Sequence, residues 1–221
     1  MKDETKREIR RKSIHIIPGV LGPIVVTLPA CFFGEFIGRI LGVSISMFFF
    51  ILYFLNQLYL SGKISREIPI TTATYRIMAR DYELEKRTFL GGVYFWAILV
   101  VMFLFFDLNV AMVGVWISSM GDAAAAIVGR EFGVHKIPYN KRKSVEGFVA
   151  FILAAFIGTL AYLLVFPPNF YDPVLMALFL SVLGAILESL PGSYLLDEIT
   201  VPLIPALVLQ IIGHYPFFLL S

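Results

Sequence analysis

The sequence predicts an all-α fold, a polytopic membrane helical bundle of about seven transmembrane helices. Of its 221 residues, 58% are hydrophobic and only 15% are charged, and the mean hydropathy is +0.83. About a quarter of a soluble domain is charged, so an ordinary soluble protein is excluded. Several apolar runs approach the roughly 20 residues that a helix needs to cross a bilayer. The alternating strands of an outer-membrane barrel do not occur in the sequence.

Hydropathy predicts seven spans within a single membrane-embedded domain, residues 1–221. They cover residues 14–33, 39–60, 89–106, 109–130, 146–166, 173–189 and 199–220. Prolines punctuate the first span (Pro18, Pro23, Pro29) and the last (Pro202, Pro205). We therefore expect these two spans to be kinked, re-entrant or partly interfacial.

The basic residues give this topology an orientation. Of the 18 Lys and Arg, 17 lie in the N-terminal basic segment 1–13, in loop 61–88 or in the loop between the fourth and fifth spans, and only Arg39 lies on the opposite side. By the positive-inside rule the first face is cytoplasmic. We expect a multi-pass integral membrane protein, of the cell membrane in a prokaryote or the endoplasmic reticulum in a eukaryote, with its active site on the cytoplasmic face.

Loop 61–88 is the one long polar stretch of the sequence. Residues 72–87 are compatible with a short amphipathic helix on the membrane surface. A solvated loop that obeys the charge rule explains the same residues equally well.

Region 118–147 begins as an apolar helix that carries one carboxylate, Asp122. A buried carboxylate in a membrane helix costs a few kcal/mol and usually faces the bundle interior or a water-filled cavity. Small residues share its helical face, at Ala125, Ala126, Gly129 and Gly133. They predict either close packing against another helix or space for a ligand beside Asp122, and we favour the ligand.

The loop that follows is cationic and leads into the fifth span. It contains Lys136, Lys141, Arg142 and Lys143. Ser144 is a plausible N-cap, and Glu146 in the first turn suits the helix dipole. Cations before a helix N-terminus favour an anion site, although an ordinary positive-inside flank has the same composition.

Late acidic loop 188–202 contains Glu188, Asp197 and Glu198 without a nearby base. Oxygen ligands of this kind suit Mg²⁺, so the loop is a candidate metal site. The alternative is an acidic loop that pairs with neighbouring cations.

The N-terminal segment brings Arg11, Lys12 and His15 into the first span. They are candidates for phosphate contacts or proton transfer, since His titrates near neutral pH. Bases that extend towards the interface, together with an interfacial His, are the structural alternative.

Taken together, these motifs resemble those of the CTP-dependent polyprenol and lipid kinases, a family that includes dolichol kinase, phytol kinase and the CTP-using diacylglycerol kinase of fungi. The matching motifs are RKxxH (Arg11, Lys12, His15), GDxxAxxxGxxxG (Gly121, Asp122, Ala125, Gly129, Gly133), KSxEG (Lys143, Ser144, Glu146, Gly147) and E…P…D…TVP (Glu188, Pro191, Asp197, Thr200, Val201, Pro202). Phosphatidate cytidylyltransferases, which are distantly related, share the central element but not the late one. Where such kinases tend to have Asn after the late Asp, this chain has Glu198.

The resemblance implies transfer of the γ-phosphoryl group of CTP to the hydroxyl of a lipid alcohol: a polyprenol or dolichol, a phytol or geranylgeraniol type, or diacylglycerol. The implied partners are CTP, that alcohol and the bilayer, with no nucleic acid. The implied site residues are Asp122, Lys143 and Glu146 for catalysis; Arg11, Lys12, Gly121, Ala125, Gly129, Lys136, Arg142 and Ser144 for the nucleotide; and Asp122, Glu188 and Asp197 for Mg²⁺ or another divalent cation. A CDP-lipid synthase and a membrane transporter are the alternatives.

Overall fold

A computed structural model describes residues 3–166, 172–192 and 194–214, without the side chains of residues 3–7, 194–196 and 214. The predicted loop at 167–172 and the end of the last predicted span therefore lie largely outside the described residues. The helices are α1 (Asp3–Gly22), α2 (Leu28–Phe33), α3 (Glu35–Leu60), α4 (Pro69–Met78), α5 (Asp81–Glu85), α6 (Leu90–Phe105), α7 (Leu108–Trp116), α8 (Asp122–Glu131), α9 (Val145–Val165), α10 (Pro173–Ser189) and α11 (Tyr194–His214). Two short strands, β1 (Lys136–Ile137) and β2 (Asn140–Ser144), form an antiparallel hairpin.

The helical bundle is confirmed. Among the described residues, four runs are long and apolar enough to cross a membrane: Glu8–Phe33, Glu35–Leu60, Leu108–Glu131 and Val145–Val165. Helices α6 and α10 are apolar but shorter. Large apolar side chains such as Phe36, Phe105 and Leu164 are exposed, as expected for a surface that faces lipid. The number of seven spans stays a prediction.

The prolines do not break their helices, so the described residues show no re-entrant turn at them; the kinked and interfacial alternatives stay predictions. Helix α1 continues past Pro18, and a π-helical turn, Pro23–Thr27, joins it to α2. The Leu28 N–H donates to the Pro23 carbonyl five residues back, which absorbs the distortion within the turn. Helix α11 likewise runs through Pro202 and Pro205. The chain turns at Gly34, whose φ of 93° suits glycine.

The main core lies where α7, α9, α10 and α11 pack together. Met102, Ala111, Ile117, Phe151 and Leu180 are fully enclosed there. Helices α7 and α8 form one continuous run through a second π-helical turn, Ile117–Gly121, which ends immediately before Asp122. The centre of the bundle therefore positions the carboxylate that the sequence singles out.

Part of loop 61–88 is helical, and it packs onto the bundle. The Thr72 hydroxyl donates to the Asn56 side-chain oxygen at 2.9 Å, and the Tyr53 hydroxyl donates to Thr74 at 3.1 Å. Residues Ile70 and Ile77 are exposed on the other side of α4. The segment is helical as predicted, but it forms two short helices, α4 and α5, of which α4 packs on α1 and α3. Its place on the membrane surface stays a prediction.

The β-hairpin is a feature that the sequence interpretation missed. Its tip contacts the end of α10: the Tyr139 hydroxyl lies 2.7 Å from the Ser189 hydroxyl, and the Asn140 amide donates to the Ser189 carbonyl at 3.0 Å. These bonds satisfy polar groups at a helix C-terminus, where carbonyls lack partners within the helix. The contact fixes the cationic loop over the cluster of acids.

Candidate active site

A small polar cavity of about 30 Å³ lies at the end of the bundle where the basic segments meet. It is lined by His15, Arg80, Ser118, Asp122, Lys143, Glu188, Asp197, Glu198 and Val201. These residues come from the N-terminal helix, loop 61–88, region 118–147 and the late acidic loop. The structure thus gathers at one end the late acidic loop and the three basic segments that the charge count places on one face, whereas Arg39 lies at the other end, beside Glu35 and the Leu104 carbonyl.

Asp122 forms an ion pair with Lys12 and is also close to His15. The His15 Nε2 atom lies 3.3 Å from Asp122 Oδ2, the same oxygen that the Lys12 ammonium contacts. The Lys12 side chain is only 2% exposed. We expected Lys12 to contact nucleotide phosphates, but the structure assigns its ammonium to Asp122. A charge buried this deeply needs such a partner.

Lys143 forms the second ion pair of the cavity, with Glu188. On strand β2, Lys141 and Arg142 are exposed, whereas Lys143 is partly buried. Burial alone would lower the pKa of the Lys143 ammonium, but the carboxylates of Glu188 and Asp122 nearby raise that pKa above its ordinary value. Lys143 therefore stays charged at neutral pH. The pairing also agrees with the alternative view of Glu188 as the partner of a neighbouring cation.

The cavity has the donor chemistry of a magnesium site, but two of its carboxylates, those of Asp122 and Glu188, are paired with lysines. Four carboxylates line it, those of Asp122, Glu188, Asp197 and Glu198. Among the described residues, no three His, Cys, Asp or Glu side chains are arranged as a ready metal site. Oxygen donors of this type fit Mg²⁺, and a volume of about 30 Å³ accommodates an ion or a water molecule. A nucleotide does not fit in this volume and would have to lie outside it, over the hairpin.

The small residues on either side of Asp122 pack against α9, which corrects our preference for a ligand beside them. A Cβ atom added at Gly129 would lie 3.1 Å from Ser144 Oγ, and one added at Gly121 would lie 2.6 Å from the Phe151 ring. The Ala125 carbonyl faces Gly147 just as closely. Gly121, Ala125 and Gly129 therefore form a packing seam rather than the wall of a nucleotide cleft.

Ser144 and Glu146 organise the start of α9 and lie outside the cavity. The Ser144 hydroxyl accepts the Gly147 N–H at 3.1 Å, which confirms the predicted N-cap. The Glu146 carboxylate lies 2.7 Å from His135 Nδ1 and accepts the His135 N–H at 3.1 Å. The structure does not bring Glu146 to Asp122, so the predicted catalytic role of Glu146 finds no support in its position.

Arg11 and the exposed cations surround the cavity without lining it. Arg11 pairs with Glu8, and the Arg130 Nε atom lies 3.3 Å from the same carboxylate. Lys136 and Arg142 are exposed on the hairpin, where a phosphate chain can reach them. Their predicted role in nucleotide binding is untested.

Besides Ser118 and Val201, three titratable residues of the cavity were not among the predicted site residues: His15, Arg80 and Glu198. His15 and Glu198 were candidates from their motifs, but nothing in the sequence distinguished Arg80 from five other cations in its loop. All three also line a second, larger cavity of about 330 Å³ between α1, α3, α6 and α7. Only the tertiary structure shows that one set of polar residues serves two adjoining cavities.

Comparisons with known proteins agree with the motif resemblance. No family model and no solved structure matches the chain. It is 40% identical over 93 residues to the chloroplastic farnesol kinase of Arabidopsis thaliana, which covers 39% of this chain and 30% of that protein. It is 28% identical over 215 residues to phytol kinase 1 of the same plant, covering 90% of this chain and 64% of that protein.

An uncharacterized protein of Methanocaldococcus jannaschii is 29% identical over 211 residues, or 94% of each chain. The chain spans about a third of the length of the farnesol kinase that it matches. These likenesses, like the motifs, make the chain similar to proteins named farnesol kinase and phytol kinase.

Proposed function

We propose that the protein is a membrane-embedded kinase that transfers the γ-phosphoryl group of CTP to the hydroxyl of an isoprenoid alcohol. The observation that carries this proposal is the junction of the two cavities. His15, Arg80 and Glu198 line both the polar cavity, which has the charges for phosphoryl chemistry, and the apolar cavity. The relatives named farnesol kinase and phytol kinase support the acceptor class. The choice of CTP rests on the resemblance of the motifs.

The reaction forms one bond and breaks one. The alcohol oxygen attacks the γ-phosphorus of CTP, the bond from that phosphorus to the β–γ bridging oxygen breaks, and CDP leaves with the electron pair. The hydroxyl proton passes to a carboxylate and then to water. The protein must therefore neutralise phosphate charge and orient the hydroxyl in line with the leaving group.

The charged residues divide these tasks. Lys143 inside the cavity, with Lys141 and Arg142 exposed above it, would hold the phosphate chain. Asp122, Glu188 and Asp197 would hold Mg²⁺, which neutralises phosphate charge when bound. Lys12 and His15 position Asp122. Glu198, at the junction, is placed to accept the hydroxyl proton.

The proposal includes an orientation in the membrane. The basic residues of the N-terminal segment, loop 61–88 and the hairpin meet at the end of the bundle that contains the cavity. The positive-inside rule favours a cytoplasmic position for this end, where CTP is available. Modification of an engineered cysteine on the hairpin, in sealed vesicles of known orientation, tests this assignment.

The decisive experiment measures which phosphate of labelled CTP is transferred to the lipid. Purified protein in detergent is incubated with Mg²⁺, an alcohol (farnesol, phytol, a long polyprenol or diacylglycerol) and CTP labelled at the α or the γ phosphate. We expect only the γ label to enter the lipid. Transfer of the α label would indicate a cytidylyltransferase, and no transfer to any alcohol would refute the kinase.

A pair of variants ties the activity to the cavity. We expect Lys143→Gln to lower kcat/KM by about 100-fold or more, as loss of a charge that stabilises the transition state does. Lys63→Gln, an exposed lysine remote from the cavity, serves as the matched control and should leave the rate unchanged. Equal rates for the two variants would remove Lys143 from the site.

A further inference from the structure

The larger cavity is an apolar cleft between α1 and α3. Ile14, Ile17 and Leu21 line it from α1, and Ile45 and Phe49 line it from α3. Helices α6 and α7 form its back wall, through Phe95, Trp96, Leu99, Phe103, Met112 and Val115. Its polar groups lie mainly at the end next to the polar cavity: Arg11, His15, Arg80, Glu83 and Glu198. The cleft is therefore polar at one end and apolar along the rest of its length.

The cleft opens sideways towards the surroundings of the bundle. Helices α1 and α3 hardly touch along it; α1 packs on α8 and α4, and α3 packs on α6. Ile17, Leu21 and Val25, on the α1 edge, line the cleft and are also exposed. In a membrane, this edge faces acyl chains, so an apolar molecule can enter from the bilayer without crossing water.

We infer that this cleft holds the tail of the alcohol substrate and admits one isoprenoid chain of about the length of farnesol or phytol; this inference rests on the proposed function. A polar end at the phosphoryl cavity and an apolar body of about 330 Å³ match a single hydroxyl on a single tail. That volume is at the low end for small-molecule sites, so two acyl chains are excluded.

The depth of the cleft sets the length of the alcohol tail that it can hold. Between His15 and Val26, both in contact with the cleft, the helix rises about 16 Å at about 1.5 Å per residue. With a C–C bond of about 1.5 Å, an extended chain advances about 1.25 Å per bond, so roughly 13 bonds fill this depth. The main chain of farnesol is slightly shorter than this, and that of phytol is slightly longer.

Two close contacts shape the deep end of the cleft. A Cβ atom added at Gly42 would lie 2.7 Å from the Phe103 ring, and one added at Gly22 would lie 2.5 Å from Met112 Cε. Phe103 and Met112 thus fill the space that these glycines leave and limit the depth. Ser46, one turn from Gly42 and fully buried, lines the middle of the cleft.

Paired substitutions test the inference. Ser46→Leu places a larger side chain midway down the cleft, and we expect it to lower kcat/KM for phytol at least about 10-fold more than for farnesol. Ser44→Leu, two residues earlier and exposed, is the matched control and should leave that ratio unchanged. Phe103→Ala should shift the preference towards longer alcohols, whereas Phe105→Ala, with a side chain that is 74% exposed, should not. An unchanged length preference in both cleft variants would overturn the inference.

A binding measurement separates this inference from the kinase itself. A photoreactive farnesol analogue in detergent micelles should label cleft residues such as Phe49 and Trp96, and Ser46→Leu should reduce that labelling while Ser44→Leu does not. Labelling confined to outward-facing residues would refute the tail site even in an active kinase. Labelling of the cleft without γ-phosphoryl transfer to any alcohol would refute the proposed reaction and leave the tail site standing.

Discussion

Replacement of Asp122 by Asn tests the energetics of the site as well as its chemistry. The substitution leaves the Lys12 ammonium, which is 2% exposed, with a neutral partner. Removal of one member of a buried ion pair costs about 3–5 kcal/mol, and since Asp122 is 25% exposed we expect the lower end, about 3 kcal/mol. For a chain of this size, that corresponds to a fall in Tm of about 6–12 °C. Phosphoryl transfer should also be lost.

A double-mutant cycle in detergent isolates the pair. Lys12→Met combined with Asp122→Asn removes both charges, and its stability should return to within about 1 kcal/mol of the wild type, while activity stays absent. The control is Glu67→Gln, which removes the partner of Arg76, a side chain that is 71% exposed; it should change the stability by less than about 1 kcal/mol. A Tm for Asp122→Asn equal to that of the wild type would refute the buried ion pair.

Three further predictions concern packing, the hairpin and the metal. A Cβ atom at Gly158 would lie 1.7 Å from Trp116 Cε2, so Gly158→Ala should cost about 1–3 kcal/mol. Gly213→Ala, with no neighbouring atom within 4 Å, should leave the Tm almost unchanged, and equal shifts for the two variants would contradict the packing of α7 on α9. Tyr139→Phe removes the bond to Ser189, worth about 1 kcal/mol, so amide exchange across the hairpin should rise about fivefold; unchanged exchange would show that the hairpin is held otherwise. Chelation of divalent cations should abolish phosphoryl transfer and Mg²⁺ should restore it, whereas activity that survives chelation would exclude the metal.

Several features of the fold were predictable because they depend on local composition. Apolar runs gave the helices of the bundle, since a membrane span requires length and hydropathy. The Ser144 cap was predictable because it depends on a side chain and a backbone N–H three residues apart. The β-hairpin was not, because its tip is held by Ser189 and Leu190, almost 50 residues away.

The candidate site was also predictable only in part. Asp122, Lys143, Glu188 and Asp197 stand out in the sequence because isolated charges beside apolar spans are costly, and the structure gathers them around one cavity. The partners of these charges depend on how distant segments pack. We predicted that Lys12 contacts phosphate, but it pairs with Asp122. We predicted a catalytic role for Glu146, but it pairs with His135. Nothing in the sequence pointed to Arg80, which lines the cavity.

By itself, the sequence predicted a helical membrane protein, its charged face and several acids and bases of the candidate site, because composition, periodicity and the cost of burying charge act along the chain. The tertiary structure alone decided that the small residues on either side of Asp122 form a packing seam and that an apolar cleft adjoins the charged cavity. Both depend on how closely helices approach one another: α8 meets α9 through glycines, whereas α1 and α3 stay apart.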